Sequence, residues 1–227
     1  MVSGMYSERP ATGLPQVIAW RARKLPGDGP ARVLPDGCMD LIWHEGEVFI
    51  AGPDTSVQHH PARPPGRTFG LRFAAGTGPQ VVGVPADEFT DRQVPLDQVW
   101  SPAEVRRIAE SAAPDAALLE VATARWRPPD LALVEVAARA RAGWTVDAIA
   151  ERLGLSARHL QRRVKTAFGY GPKTLTRVLR MQRALALARD GTPLASVAAV
   201  SGYADQAHLS RDVKALAGVP LTSLVVT

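Results

Sequence analysis

Thr145–Ala167 reads TVDAIAERLGLSARHLQRRVKTA, and the rest of the chain is organised around it. Val146, Ile149, Ala150 and Leu153 recur at i, i+3, i+4 and i+7, the apolar stripe of one short helix. Gly154 ends that helix, and Ser156 is placed to cap the next by accepting from its free backbone N–H groups. In the second helix Ala157, Leu160, Val164 and Phe168 form the inward stripe. Arg158, Gln161, Arg162 and Lys165 then form the outward one. Two short helices across a glycine turn, the second with a long-armed basic and amide face, describe a helix-turn-helix with a recognition helix.

A basic helix face is more often simply solvated. The weight comes from repetition. A shift of 49 residues lays Asp205 on Ser156, His208 on His159, Leu209 on Leu160, Arg211 on Arg162, Val213 on Val164 and Lys214 on Lys165. The second copy has its own leading helix, Pro193–Val200, with Thr192 expected as N-cap, Pro193 at N1 and a turn at Gly202. Repeated readers suit duplex DNA, whose major groove returns to one side about every 34–36 Å.

The stretches GLSARHLQRRVKTAFGYGPKTLTRVLRMQRALALARDG and VAAVSGYADQAHLSRDVKALAGVPLTSL resemble the DNA-binding module of the AraC/XylS family of bacterial transcription regulators. The resemblance covers Leu131–Thr227. It implies seven helices, with two helix-turn-helix units joined by a long linker helix on one face of duplex DNA. That linker is expected from Pro172 to Asp190, about 25 Å at about 1.5 Å per residue, enough to hold two recognition helices near one DNA turn apart.

With 227 residues the chain can form one large or two ordinary domains. Its single cysteine excludes a disulfide framework and a multi-cysteine zinc site. The first residues lack a signal-like apolar run, and no stretch approaches the about 18 apolar residues of a membrane span. The expected setting is therefore cytoplasmic, on the nucleoid, without membrane contact. The formal charge of +5 is unevenly spread. Residues 1–130 hold 13 Lys and Arg against 16 Asp and Glu, whereas residues 131–227 hold 14 against 6. A basic half behind a mildly acidic one points to a polyanion binder carrying a second module.

Within the first half, Met1–Thr12 reads as a frayed start. Strands are expected at Val17–Leu25, Ala31–Leu34, Cys38–His44, Glu47–Ala51 and Arg67–Phe73, the last with clear period-2 alternation. The Pro/Gly-rich Gly52–Gly66 reads as a long loop. Helices follow, one opened by Ser101-Pro102 with Glu104 at N3, another over Asp115–Trp126. Arg127-Pro128-Pro129-Asp130 breaks the chain into a domain of residues 1–129 and one of residues 130–227. VLPDGCMDLIW, FIAGPDT, FGLRF and GVPADEFTDRQVPLDQVW resemble a variant of the cupin-like sensor domains that precede this reader in the family. The expected class is α+β: a β-rich cupin-like domain with trailing helices, then an all-α domain with two helix-turn-helix motifs.

By the resemblance, Arg158, Gln161 and Arg162 face the major groove. Arg matches guanine O6/N7 and Gln matches adenine N6/N7, each with a two-pronged pattern. In the second unit Ala207 and Ser210 replace the long side chains, which leaves Gln206 and Arg211 as base readers. The first unit is thus expected to discriminate more sharply. Arg163, Lys165, Arg177, Arg180 and Lys214 are candidates for phosphate, which positions without specifying.

Catalysis has weaker support. Cys38 with His44, His59 and His60 could be drawn as a thiol or metal site. Yet a lone Cys in an apolar strand is usually a small hydrophobe, and adjacent His residues on an extended chain point apart. No cofactor, metal or enzymatic activity is expected. Asp40 and Arg72 stand as charges within apolar strands, either paired together or lining a ligand pocket with Cys38 and Trp43. The reading is a one-component, sequence-specific transcription factor. Its candidate partners are double-stranded DNA, RNA polymerase, a small-molecule effector and a second copy of itself. The rival is an enzyme or a metal or thiol sensor in the first domain, tethered to DNA by the basic module.

Overall fold

The computed structural model describes residues 6–61 and 63–225, with strands first and helices last. The strands are β1 (Tyr6–Pro10), β2 (Val17–Lys24), β3 (Ala31–Val33), β4 (Met39–His44), β5 (Glu47–Ala51), β6 (Gln58–His60), β7 (Gly66–Phe73) and, after a short helix α1 (Gly78–Val82), β8 (Gln93–Pro95). Six form one antiparallel sheet in the order β1-β2-β7-β4-β5-β8, while β3 pairs with β6 separately.

Alternation decides which side of this sheet is covered. Val17, Ala19, Met39, Leu41, Trp43, Phe69, Leu71 and Phe73 are buried on one face. The helices α2 (Pro102–Ala109) and α3 (Pro114–Arg125) add Ile108, Leu118 and Val121 to the same core. Ser101 caps α2 as its sequence requires, its hydroxyl accepting from the Glu104 N–H at 3.3 Å. Trp20, Asp40, Ile42 and Arg72 occupy register positions on the opposite face.

Seven described helices follow the irregular Arg127–Pro129. They are α4 (Leu131–Arg141), α5 (Val146–Arg152), α6 (Ala157–Phe168), α7 (Pro172–Arg189), α8 (Leu194–Val200), α9 (Gln206–Ala217) and α10 (Thr222–Val225). They surround a second core, and α7 crosses it with Leu175, Val178, Leu179, Met181 and Leu185 buried. The chain is thus α+β, a β-rich region followed by a helical domain.

Three local expectations fail. Met1–Thr12, expected as a frayed start, holds β1, which pairs along its length with β2; Met1–Met5 lie outside the described residues. All of β1 is exposed, so no alternation marked it. The expected loop Gly52–Gly66 contains β6, paired with β3 through Ala31 and His60 at one end. The second unit's leading helix starts at Leu194, with Pro193 at its N-cap and no side chain capping it, so Thr192 does not serve as cap.

Candidate nucleic-acid interface

Both helix-turn-helix units form as their sequences dictate. In the first, Thr145 accepts from Ala148 N–H at 3.2 Å to open α5, and Ser156 accepts from His159 N–H at 3.3 Å to open α6. Gly154 adopts φ +62° in the turn between them. In the second, Gly202 takes φ +78°, and Asp205 accepts from His208 N–H at 2.6 Å to open α9. The same turn bond closes each unit: Leu155 N–H to Ala150 C=O and Tyr203 N–H to Ala198 C=O, both 2.9 Å. That bond repeats at a spacing of 48 residues, whereas the recognition-helix caps Ser156 and Asp205 are 49 apart, so the second turn holds one residue more.

On α6, Leu160, Val164 and Phe168 are buried as expected, joined by Ala167, while Ala157 at the helix start is exposed. Arg158, Gln161, Arg162 and Lys165 are all exposed. Gln161 lies over Gly171, with its amide nitrogen 2.6 Å from where a Cβ would stand. On α9, Leu209, Val213 and Leu216 face inward, and Gln206, Ser210, Arg211 and Lys214 are exposed. The first turns of both helices are therefore open, which is the part of a recognition helix that reads bases.

The candidate phosphate ligands divide. Lys214 is exposed and has no ion pair among the described residues. Arg163 is paired with Asp130, the residue that caps α4 by accepting from Ala132 N–H at 2.9 Å. Lys165 Nζ stands 3.4 Å from Asp87, in a turn of the β-rich region. Arg177 and Arg180 are both drawn to Asp212 of α9, at 2.7 and 3.2 Å. Arg180 also stacks over Tyr203, 4.1 Å from the ring centre, and donates to Gly202 C=O at 3.2 Å. Its side chain is only 14 % exposed, so Arg180 joins the spacer helix to the second unit and does not stand ready for phosphate.

The expected pocket is broken up. Asp40 and Arg72 are register partners on β4 and β7, with Arg72 Nε 3.4 Å from the Asp40 carboxylate. Asp40 also accepts from the Trp20 indole at 2.6 Å, and Asp36 stands 3.8 Å from Arg72. Trp43 lies on the opposite face of β4, buried in the core with its indole N–H donating to Ala109 C=O at 3.2 Å. Trp20, which alternation along β2 would have nominated, takes its place beside Asp40. Burial pushes the Cys38 thiol well above its usual range, and Asp36 and Asp40 add to the shift, so it is held as a neutral thiol. His59 and His60 lie in β6, and among the described residues no group of three or more His, Cys, Asp or Glu is arranged to hold a metal.

A further cluster escaped the sequence entirely. Burial, then the charges of Asp91, Asp36 and Asp40, raise the Asp54 carboxyl to about 7. Burial and the same acidic surroundings push the Tyr170 phenol upward, and its hydroxyl is buried without a hydrogen-bond partner among the described residues. Tyr170 follows the first recognition helix, whereas the aspartates belong to the β-rich region. Only the fold brings them together.

Two capped recognition helices on one spacer helix define a DNA-binding module of the double helix-turn-helix class. Residues 149–225 match the family described as a helix-turn-helix domain, HTH_18. Residues 9–95 match a domain of unknown function, DUF6597. No curated protein is significantly similar. Among solved structures, the C-terminal domain of AraT, a response regulator from Geobacillus stearothermophilus, is 27 % identical over 40 % of this chain and 83 % of its own, with a TM-score of 0.35. A probable AraC family transcriptional regulator from Rhodopseudomonas palustris CGA009 is 23 % identical over 42 % of this chain and 95 % of its own, with a TM-score of 0.35. Unsaturated fatty acid bound ToxT from Vibrio cholerae strain SCE256 is 11 % identical over 98 % and 95 %, with a TM-score of 0.49. Residues 149–225 thus carry a helix-turn-helix domain of the HTH_18 family.

Proposed function

We propose that this chain is a one-component, sequence-specific transcription regulator that reads adjacent major grooves with α6 and α9. The observation that carries this reading is the open first two turns of both recognition helices, with Arg158, Gln161 and Arg162 exposed on one and Gln206 and Arg211 on the other. Arg and Gln at such positions discriminate bases through bidentate hydrogen bonds. α6 supplies three long readers and α9 two, so the first half-site is the sharper one. Lys214 supplies phosphate contact, with Lys165, Arg163 and Arg177 able to add to it when their carboxylate partners yield. Residues 1–129 form the regulatory domain and residues 130–227 the reader. That first domain is the place for a small-molecule effector or for self-association. Contact with RNA polymerase and work on the nucleoid in the cytoplasm complete the reading. No described helix is long and apolar enough to cross a membrane.

Selection of bound duplexes from a random DNA pool tests this with the full-length chain and an Arg162→Ala control. Enrichment of one sharp half-site beside a looser one about a helical turn away, with the sharp half relaxed at one or two positions in the control, is the expected result. Salt-sensitive binding without enrichment would leave only a sequence-independent polyanion binder.

A further inference from the structure

The two recognition helices share a covalent support, α7, and a second support that is not covalent. Each ends against the β-rich region. At the end of α6 the Thr90 hydroxyl donates to Gly169 C=O at 2.7 Å. The fit is close there: a Cβ on Gly169 would stand 2.5 Å from Pro53 and 2.7 Å from Thr90 Oγ1. The ring of Phe168 fills the space beside Gly76, 2.7 Å from where its Cβ would be. At the end of α9 the Arg32 guanidinium donates to Ala217 C=O at 2.6 Å, and Val57 N–H donates to Leu216 C=O at 2.7 Å. Between the two, Gln182 of α7 donates to Pro35 C=O at 2.7 Å.

These bonds fall where helix physics makes them count. The last carbonyls of a helix have no partner within it and carry the negative end of its dipole, so donors and cations from outside are favoured there. Both α6 and α9 turn at a left-handed glycine, Gly169 and Gly218, and the carbonyls beside these turns accept from Thr90, Val57 and Arg32. The opposite ends of both helices carry the base-reading side chains and remain open. The spacer helix and the core it shares with both units hold the two readers from one side. A second body attached to the far end of each reader turns the joint into a triangle.

We infer that the β-rich region is a strut that fixes the angle between the two recognition helices, with Arg32 and Thr90 as positioning residues for DNA reading. The inference rests on the reading of α6 and α9 as recognition helices. Neither Arg32 nor Thr90 touches DNA; Arg32 acts through the last carbonyl of α9, and Thr90 through the carbonyl of Gly169, the glycine that ends α6. What the strut controls is the spacing and phase of the half-sites that one molecule can engage together. A rigid pair of readers gains its joint affinity only where geometry lets both bind at once.

The test uses the full-length chain and duplexes carrying the selected half-sites at the selected spacing, or with one base pair added or removed. In the unaltered protein one base pair is expected to cost about tenfold in Kd, because the joint binding term is sensitive to geometry. Arg32→Ala and Thr90→Val are each expected to reduce that penalty to about threefold, with weaker binding at the preferred spacing and unchanged binding to a single half-site. Arg32→Lys, which keeps a cationic donor at the α9 end, is expected to restore the preference and so separates positioning from a general loss of fold. Variants that keep the full spacing penalty overturn the strut while leaving sequence-specific reading intact. An unaltered protein without any sequence preference overturns both.

Discussion

Asp212 lies on the second recognition helix yet belongs to the spacer helix's charge system: its two oxygens take Arg177 at 2.7 Å and Arg180 at 3.2 Å. It is buried, 8 % exposed, in a stretch where its neighbours Arg211 and Lys214 point to solvent. A carboxylate inside a basic helix would otherwise weaken attraction to phosphate. Here its charge is spent on two arginines of α7 and fixes how α9 sits on that helix.

Removing this carboxylate leaves Arg180, beneath Tyr203, without its counter-charge. Asp212→Ala is expected to destabilise the chain by about 2 kcal/mol, less than the about 3–5 kcal/mol of a fully buried pair. The reduction follows from Arg177, whose side chain is 43 % exposed and recovers water. Urea unfolding would measure it. A change within about 0.5 kcal/mol would mean that the pair contributes nothing net.

Gly70 sits under Trp20, and a Cβ there would stand 2.2 Å from the indole ring. Gly70→Ala therefore forces Trp20 off β7 and breaks the 2.6 Å bond from its indole to Asp40. Expected is a loss of about 1–3 kcal/mol, typical of overpacking, with a changed near-UV tryptophan signal. An unchanged spectrum and an unchanged unfolding midpoint would show that the indole relocates freely.

The helical domain was readable in advance because its signals are local. The cap at Ser156, glycine turns and 3.6-residue stripes each need only neighbours in sequence, whereas the cap expected at Thr192 did not form. The central strands announced themselves through alternation for the same reason. What stayed hidden depends on distant partners. β1 has no buried face to alternate, and β6 is three residues within a Pro-rich stretch. Arg177 and Arg180 read as phosphate ligands because Asp212 is more than thirty positions away in the chain. Likewise nothing local relates Lys165 to Asp87 or Tyr170 to Asp54. The grouping of Trp43 with Asp40 was avoidable, since residues three apart on a strand face opposite sides.

The acidic seam around Tyr170 makes stability depend on pH. Asp54 has its carboxyl raised to about 7 in the folded chain, by burial first and by Asp91, Asp36 and Asp40 after it. A free aspartate lies near about 3.9. The folded state thus binds this proton more tightly than the unfolded state. Its contribution to stability is full below about pH 4 and is lost as pH rises through about 7. Asp40, raised to about 6, adds to the same trend. Asp54→Asn, which holds that position neutral, should flatten the stability difference between pH 5 and pH 8. Equal pH slopes for the two proteins in urea unfolding would remove Asp54 from the account.

Arg162 and Lys214 are both exposed cations on recognition helices, and they should fail in different ways. A base-reading arginine is worth about 1–3 kcal/mol of discrimination against a wrong base pair. Arg162→Ala should therefore relax preference at one or two positions of the first half-site and leave non-specific binding nearly unchanged. A phosphate ligand carries no sequence information. Lys214→Ala should weaken binding to all duplexes alike and lower the slope of log K against log salt by about one. Competition binding over a panel of single-base variants, repeated at several salt concentrations, separates the two outcomes. If Arg162→Ala weakens every duplex equally, Arg162 is a phosphate contact and base reading in the first unit falls to Arg158 and Gln161.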